Sequence, residues 1–552
     1  MSEANRGVWG VAPPQKTRLT ALTGTGGLVR LILRRDRFLL PTWVLLLAVI
    51  PMSFVGATEG LYPEAADRLE YARTTGTTPT FLALYGPLND TSLGGIVAQR
   101  CGFIPVMIAI ISALMVVRHT RTEEEAGRRE LLGATVTGRG AGLAAALVVT
   151  AAANLVLSAL LVAGLVAQGL PFSGALALGA QFAAAGCLFA AVAGVTAQLS
   201  EGAGAARGIA IAAVGVAFAV RMAADVGGDG NSLSWLGWLS PFGWINRARA
   251  FGGARWWTFA LVAALIVVLV AAAGALSSRR DVGAGILPPR LGSPSAPRWL
   301  SGSFGLGWRL QSRALYGWLA GFAALGVVYG ALAGSVEDMV KDNPDLKEIF
   351  TKFGGQSAIV DAYFVSVMST VGPIVAAYAV SAALRLRTEE GGQRAEPLLA
   401  TATGRLRWAS SHMVFAALGP AAALAVTGTA AGLTHGLNTG DLGGQLPRVL
   451  GAAMAQLPAV WLVAAIALVL FGLAPRFTAG GAWAVVGVVT LITMFGPMLD
   501  LGHWAMDVSP FTHVPKIGQN FSAMPLVWLA VVAAALAALG MIGFRRRDLS
   551  AH

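Results

Sequence analysis

Arg121–Arg139 reads RTEEEAGRRELLGATVTGR, and Arg387–Arg405 reads RTEEGGQRAEPLLATATGR. The two stretches match without a gap at 12 of 19 positions, at an offset of 387 − 121 = 266 residues. Each charged block lies between long apolar stretches. Further repeats sit at nearly the same spacing. Ser240-Pro241-Phe242 returns as Ser509-Pro510-Phe511, and Arg279-Arg280-Asp281 returns as Arg546-Arg547-Asp548, at offsets of 269 and 267. The chain therefore reads as two similar halves, each carrying the same polar device, which is a pattern expected of transporters.

Composition places both halves in a membrane. Of the 552 residues 55% are hydrophobic and only 12% charged, with a mean hydropathy of +0.66. A helix crossing the hydrocarbon core needs about 20 mostly apolar residues. Twelve such stretches are expected. The first half holds Phe38–Thr58, Gly102–Val117, Ala141–Leu165, Leu176–Gln198, Gly208–Val226 and Trp257–Leu276. The second holds Leu315–Gly334, Ala362–Leu384, Ser410–Leu433, Val449–Leu473, Ala479–Leu499 and Leu526–Phe544. An even number of spans per half gives both halves the same topology, hence a parallel repeat. The expected fold is an all-α polytopic membrane protein, with twelve transmembrane helices as two parallel six-helix repeats.

The expected organisation runs as follows: a cytoplasmic N-terminal segment at 1–37 and a first six-helix half at 38–278. A Pro/Gly-rich cytoplasmic linker follows at 279–313, then a second half with a short basic tail at 314–552. Arginine-rich segments stay on the inner side, and they include the N-terminal stretch, both repeated motifs and the Arg545–Arg547 tail. Both termini are therefore expected in the cytoplasm, and the net charge of +12 reads as a topology signal rather than as nucleic-acid binding. Abundant Ala, Gly and Arg suit a GC-rich bacterial genome, which makes the membrane a bacterial plasma membrane. Before each half, arginines alternate with apolar residues: Arg30, Arg34 and Arg35 with Leu28, Leu31 and Ile32, then Arg309 and Arg313 with Leu306 and Leu310. Both runs are expected to lie as amphipathic helices in the inner interface.

Within the first motif Thr122 and Glu125 have capping-box spacing. Glu124 with Arg128, and Glu125 with Arg129, have the i,i+4 spacing of helical ion pairs. Leu131 and Leu132 then add an apolar patch. The expectation is one short charged helix suited to docking in a partner's groove. The second copy keeps Thr388, Glu389, Glu390, Arg394, Glu396 and Leu398, but has Gly391 at the capping position and Pro397 in the helical stretch. It should be shorter or bent. His119, next to the first motif, reads as a solvated boundary residue.

This pattern of glutamates followed by Arg-x-Glu-x-Leu resembles the type-2 ABC exporter permeases. The double-length arrangement is similar to actinobacterial permeases associated with antibiotic and multidrug efflux. The resemblance implies that the loop is a coupling helix. Glu123, Glu124, Arg128 and Glu130, with Glu389, Glu390, Arg394 and Glu396, would then meet ATPase subunits, two copies per chain. It also implies a short re-entrant segment between the fifth and sixth spans of each half. Trp238, Pro241, Phe242 and Trp244 fit that place in the first half, and Pro510 and Phe511 in the second; an aromatic interface belt is the other reading. Pro105 and Pro373 are candidate helix kinks.

The chain has no GxxxxGK[ST] loop and no Gly-Lys pair at all. It is expected to be no enzyme itself, with ATP and Mg bound by a separate subunit and no cofactor of its own. Asp500, His503, Asp507 and His513 are too loosely spaced to count as a metal site, so none is expected. The rival is an ion-coupled secondary transporter of the major facilitator type. Proton coupling needs ionisable groups within the membrane, and the span centres hold almost none. Apolar span interiors suit a lipophilic or amphipathic cargo.

Overall fold

The structure is a computed structural model. It describes residues 20–548 apart from 75, 134, 227–231, 282, 288–293, 296, 301, 342–355, 496–501 and 516–521. Residues 1–19 of the N-terminal segment, the middle of the Pro/Gly linker and Asp500 lie outside the described residues. Those described form helices and connecting turns, with no strand among them. The chain divides into two compact units, Met1–Leu291 and Gly292–His552.

The first unit opens with α1 (Thr25–Arg35) and α2 (Leu39–Leu61). After α2 come the short α3 (Ala65–Arg73) and α4 (Pro79–Tyr85). One long span is assembled from α5 (Leu93–Arg100), a 3-10 turn at Cys101–Phe103, α6 (Ile104–His119) and α7 (Arg121–Glu125). The short α8 (Arg128–Gly133) precedes α9 (Ala141–Ala167), α10 (Phe172–Leu199) and α11 (Ala203–Asp225). The unit closes with α12 (Pro241–Asn246) and α13 (Trp257–Arg279).

The second unit contains α14 (Ser303–Lys341), α15 (Gln356–Ala383), α16 (Arg385–Gly391), α17 (Ala395–Leu399) and α18 (Arg405–Thr439). Then come α19 (Leu442–Met454), α20 (Leu457–Leu473), α21 (Thr478–Phe495), α22 (His503–Met506) and α23 (Met524–Arg546).

Among the described residues 11 helices are long and apolar enough to cross a membrane, and one shorter apolar helix spans Thr478–Met494. That shorter helix stands where the span Ala479–Leu499 is expected, and residues 496–499 lie outside the described residues. The expected span Gly102–Val117 is part of a longer helical run, Leu93–Glu125, because its polar ends also find partners. Pro105 lies in the first turn of α6, directly after the 3-10 turn. There it marks a junction between helices rather than an interior kink, since its missing N–H falls where no helical partner exists. Pro373 does lie inside its helix, as do Pro51 and Pro420, which the sequence did not single out.

Helix neighbours are the same in both units. In the first, α10 packs against α6, α9, α11 and α13, α2 lies on α9, and α6 touches α9 and α11. In the second, α20 packs against α15, α18, α21 and α23, α14 lies on α18, and α15 touches α18 and α21. Lipid supplies no hydrophobic drive between helices, so close backbone approach and buried polar contacts must hold them. Both are present. Asn154 of α9 donates to Ser112 Oγ of α6 at 3.0 Å, and a Cβ on Gly186 of α10 would stand 2.0 Å from the Asn154 side chain. At Gly540 of α23 a Cβ would stand 2.6 Å from the backbone oxygen of Leu468 in α20.

The start of each unit differs. Asp36, between α1 and α2, is buried; it accepts from Arg118 at 3.0 Å and lies 2.5 Å from His119 Nε2. His119 is thus a buried partner rather than a solvated boundary residue, because it meets the only carboxylate in the α1–α2 break. The second unit has no such break. The residues expected to form its separate interfacial segment are the first turns of the 39-residue α14, whose register runs unbroken into the span.

Backbone atoms cannot yield as a flexible side chain can, so Gly540→Val should overpack the α20–α23 contact at a cost of about 1–3 kcal/mol. Melting in detergent checks this, with Gly487→Val as control, since nothing lies within 4 Å of a Cβ there. The first variant should melt lower and the control should not.

Candidate functional site

The two repeated motifs do not form single docking helices. Each is an elbow between two short helices, α7 and α8 in one unit, α16 and α17 in the other. The break falls at equivalent positions, Gly127 with φ +69° and Gln393 with φ +56°. A left-handed residue ends the helical hydrogen-bond ladder, which is unremarkable for glycine and unfavourable for glutamine. That the backbone turns there in both copies shows that packing, not glycine, sets the elbow.

This turn moves the ion pairs off the expected spacing. Arg128 Nε donates to Glu123 at 2.7 Å, and Arg394 Nε donates to Glu389 at 2.7 Å. Both pairs are i,i+5 and cross the elbow, in place of the expected Glu124–Arg128 pair. Arg129 likewise pairs with Glu124, not Glu125. The capping box is absent: Thr122 Oγ1 donates to the Val117 carbonyl at 3.3 Å. Glu125 instead accepts from Ala203 N at 3.2 Å and so caps the start of α11.

Glu124 is buried at the centre of a cationic hub. Arg121 Nη1 donates to it at 2.6 Å and Arg280 Nη2 at 2.9 Å, with Arg129 as a third donor. Three arginines on one carboxylate leave surplus charge, and carbonyls take up the remaining N–H groups. Arg121 donates to the carbonyls of Glu201 at 2.6 Å and Gly283 at 2.8 Å. Arg280 donates to Gln198 Oε1 at 2.7 Å and to the Ala284 carbonyl at 2.9 Å. Burial pulls the Arg129 guanidinium below the usual arginine range, with Glu124 opposing; Arg128, exposed and bonded to Glu123, is held above it. One hub thereby joins the motif, the α10–α11 turn and the chain just after α13.

The second unit builds the same lock with fewer parts. Arg547 donates to both oxygens of Glu390 at 2.7 Å, and its guanidinium stands 4.9 Å from the Phe471 ring centroid. The paired residues are equivalent, with Glu124 and Glu390 266 apart and Arg280 and Arg547 267 apart. The arginines that end the motifs correspond too: Arg139 donates to the Arg280 carbonyl, and Arg405 to the Arg547 carbonyl at 2.8 Å. Two repeats that are far apart in sequence are thus the two sides of one contact. The sequence showed both repeats but gave no sign that they touch.

The candidate residues divide accordingly. Glu124, Glu389 and Glu390 are buried and bonded within the protein. Glu125, Arg128 and Glu130 are exposed, as are Thr388, Arg394 and Glu396. Glu123 is partly covered and also pairs with Arg35 of α1. Leu398 is half-buried, and the side chains of Leu131 and Leu132 lie outside the described residues. Pro397 does not bend a helix; it stands in the five-residue α17, where no long ladder exists to disrupt.

The Ser-Pro-Phe repeat is a second shared device. Ser240 Oγ caps the start of α12, accepting from Gly243 N at 3.4 Å and donating to the Ala217 carbonyl at 2.6 Å. Ser509 Oγ accepts from Phe511 N at 3.3 Å and lies 2.8 Å from Thr493 Oγ1. Pro241 and Pro510 each begin the turn that follows. Phe242 stacks on Phe189 of α10 with centroids 5.0 Å apart, and Phe511 is buried in the second unit's core. Trp244 Nε1 donates to the Trp238 carbonyl at 2.7 Å, while Trp238 stacks on Trp257 at 5.9 Å.

A known protein is similar to this chain across nearly its whole length. The multidrug efflux system permease protein Rv1217c of Mycobacterium tuberculosis (strain ATCC 25618 / H37Rv) is 42% identical over 534 residues, covering 96% of this chain and 96% of its own. The chain belongs to that permease family. A family model described as the multidrug efflux system permease Rv1217c, C-terminal domain, also matches residues 300–545. With its many apolar helices, the protein is a multi-pass membrane permease with a transport role. The hub of the permease's first unit and the lock of its second are therefore features of a transport protein.

Removing one partner of a buried ion pair strands the other, at about 3–5 kcal/mol, whereas replacing both with apolar groups is often neutral. Glu390→Gln and Arg547→Met should each increase amide exchange across residues 385–399. The double variant Glu390→Met/Arg547→Met should exchange more slowly than either single one. Hydrogen-exchange mass spectrometry checks the order.

Proposed function

We propose that this permease is the membrane subunit of a type-2 ABC exporter, with two parallel six-helix repeats fused in one chain. Both termini and both elbows face the cytoplasm. A separate ATPase supplies the energy, one copy at each elbow, and holds the ATP and Mg. The cargo is lipophilic or amphipathic, in keeping with the multidrug efflux named for the relative.

The observation that carries this reading is the twice-built elbow. In each unit a buried Glu–Arg contact ties the motif to the end of the last helix, Glu124 to Arg280 and Glu390 to Arg547. A force applied at the elbow would reach the span directly, which is what a coupling element requires. The exposed remainder is small and charged. Glu130 and Glu396 form no ion pair among the described residues, and both stay available to a partner. An ion-coupled carrier would use titratable groups inside the spans, while the buried carboxylates of the motif are consumed by arginines.

Pull-down of the tagged full chain in mild detergent tests this. A co-purifying ATPase is expected, lost in Glu130→Arg/Glu396→Arg, while melting stays within a few degrees of the parent because both side chains are exposed. Recovery of the chain alone, moving lipophilic dye in vesicles under a proton gradient without ATP, would overturn the reading in favour of a secondary transporter. The topology is checked separately. Cysteines placed at Ala126 and Gly391 should react with an impermeant maleimide only in inside-out vesicles, and labelling in right-side-out vesicles would overturn the cytoplasmic placement.

A further inference from the structure

Two cavities lie against α1 in the first unit and share Leu28, Leu31 and Thr137. One, of about 430 Å³, is walled by Ile32 and Gly142 on its apolar side and by Arg35, Arg139 and Glu123 on the other. The second, of about 520 Å³, opens beside Arg30 and Arg34. Both volumes fall in the range of small-molecule sites.

Charge along this groove is unbalanced. Arg35 pairs with Glu123, and Arg129 pairs with Glu124. Arg139 donates to a carbonyl, which neutralises nothing. Arg30 and Arg34 are exposed and form no ion pair among the described residues. Arg30, Arg34 and Arg139 thus have no paired carboxylate; Asp281, which also lines the first cavity and forms no ion pair among the described residues, offsets one of these three charges, and the groove keeps a net positive charge. Next to them Leu31 and Leu33 are about half exposed, at 49% and 48%. An amphipathic helix with this pattern, leading directly into the first span, lies at the membrane interface. There the bilayer offers phosphate and hydrocarbon together, and arginine clusters on such helices attract anionic lipid.

We propose that α1 and the first motif form a binding site for an anionic phospholipid of the inner leaflet. Its phosphate rests on Arg30, Arg34 and Arg139, and its apolar part enters the cavity at Leu28, Leu31 and Ile32. The site touches the motif through Arg35, whose partner Glu123 also holds Arg128 across the elbow. A phosphate held on the neighbouring arginines competes with Glu123 for Arg35, so lipid occupancy changes the pairing at the first elbow. Among the described residues the second unit has no counterpart of the α1–α2 break, since α14 is continuous. Placement in the inner leaflet rests on the cytoplasmic position of the elbows proposed above.

Native mass spectrometry of the detergent-purified full chain tests the site, using phosphatidylglycerol and phosphatidylcholine with identical acyl chains. The expected result is retention of phosphatidylglycerol on the order of tenfold better than of phosphatidylcholine, falling about tenfold in Arg30→Gln/Arg34→Gln. Melting of that variant should match the parent. If it does not, Arg139→Gln serves as the second variant. Equal retention of the two lipids, or a variant that binds like the parent, overturns the site. Displacement by excess inorganic phosphate also overturns it, since the cavity would then contribute nothing beyond an anion contact. Hydrogen exchange over residues 121–130 reads the link to the motif: phosphatidylglycerol should change it and phosphatidylcholine should not. These readouts need no ATPase, so failure here leaves the pull-down result standing, and the maleimide experiment reports the leaflet independently.

Discussion

Everything on the motif face of each unit depends on a buried carboxylate that must be neutralised. Glu124 and Glu390 lie where water cannot solvate them, and an uncompensated charge there would be prohibitive. Arg280 and Arg547 remove that penalty, and in doing so bring the end of each unit's last long helix to the loop after its second span. The constraint works in both directions. Arg280 is buried and Arg547 largely covered, so separating either contact would leave its glutamate unpaired. A loop of the kind that would ordinarily be the most mobile part of a membrane protein is instead fixed to its frame.

The two units solve this problem with different redundancy. The first uses three arginines on Glu124 and adds carbonyl acceptors from the α10–α11 turn and the chain after α13. The second uses one bidentate arginine stacked on Phe471 and Phe544, with Arg387 as a looser second cation 3.9 Å from Glu390. A bidentate pair between planar groups is geometrically strict, whereas a hub tolerates rearrangement among several donors. The first elbow can therefore exchange partners while it stays neutralised. The same unit also has the α1–α2 break, fixed by Asp36 against Arg118 and His119, with Arg35 reaching Glu123 from α1. Multiple pairing and the attachment of α1 occur together in one half, and the other half keeps a continuous helix and a bidentate pair.

Much of the fold could be read from the sequence, because its main determinants are local. Span positions follow from apolar runs, and the doubled motif, the Ser-Pro-Phe turn and the Arg-Arg-Asp ends mark corresponding points in the two units without any structure. The errors came where tertiary contacts override local rules. Helical spacing suggested Glu124–Arg128, but a left-handed residue at 127 shifts the partner to Glu123. A glycine explains that turn in one copy and nothing local explains it at Gln393, so no propensity argument could have found both. His119 looked solvated because its partner, Asp36, is more than eighty residues away in sequence, beyond any helical spacing rule. The separate interfacial helix expected near Arg309 fails for the opposite reason: with no break residue, its turns continue into α14.

Both partners of the lock were visible in the sequence, but their contact was not. Two motifs duplicated at offsets of 266 and 267 residues are equally compatible with independent roles and with mutual contact. Charge favours contact, since a buried glutamate needs a cation and the Arg-Arg-Asp end supplies one on the same face. It also explains why near-identical glutamates stand in both halves when they are hidden from any partner. They hold the elbow, while Glu130 in one copy and Glu396 in the other stay exposed. A docking surface whose contact residues are distinct from its anchoring residues can vary the first set without losing the second. In the permease the elbow's shape is accordingly set by the frame, and its chemistry by a few surface charges.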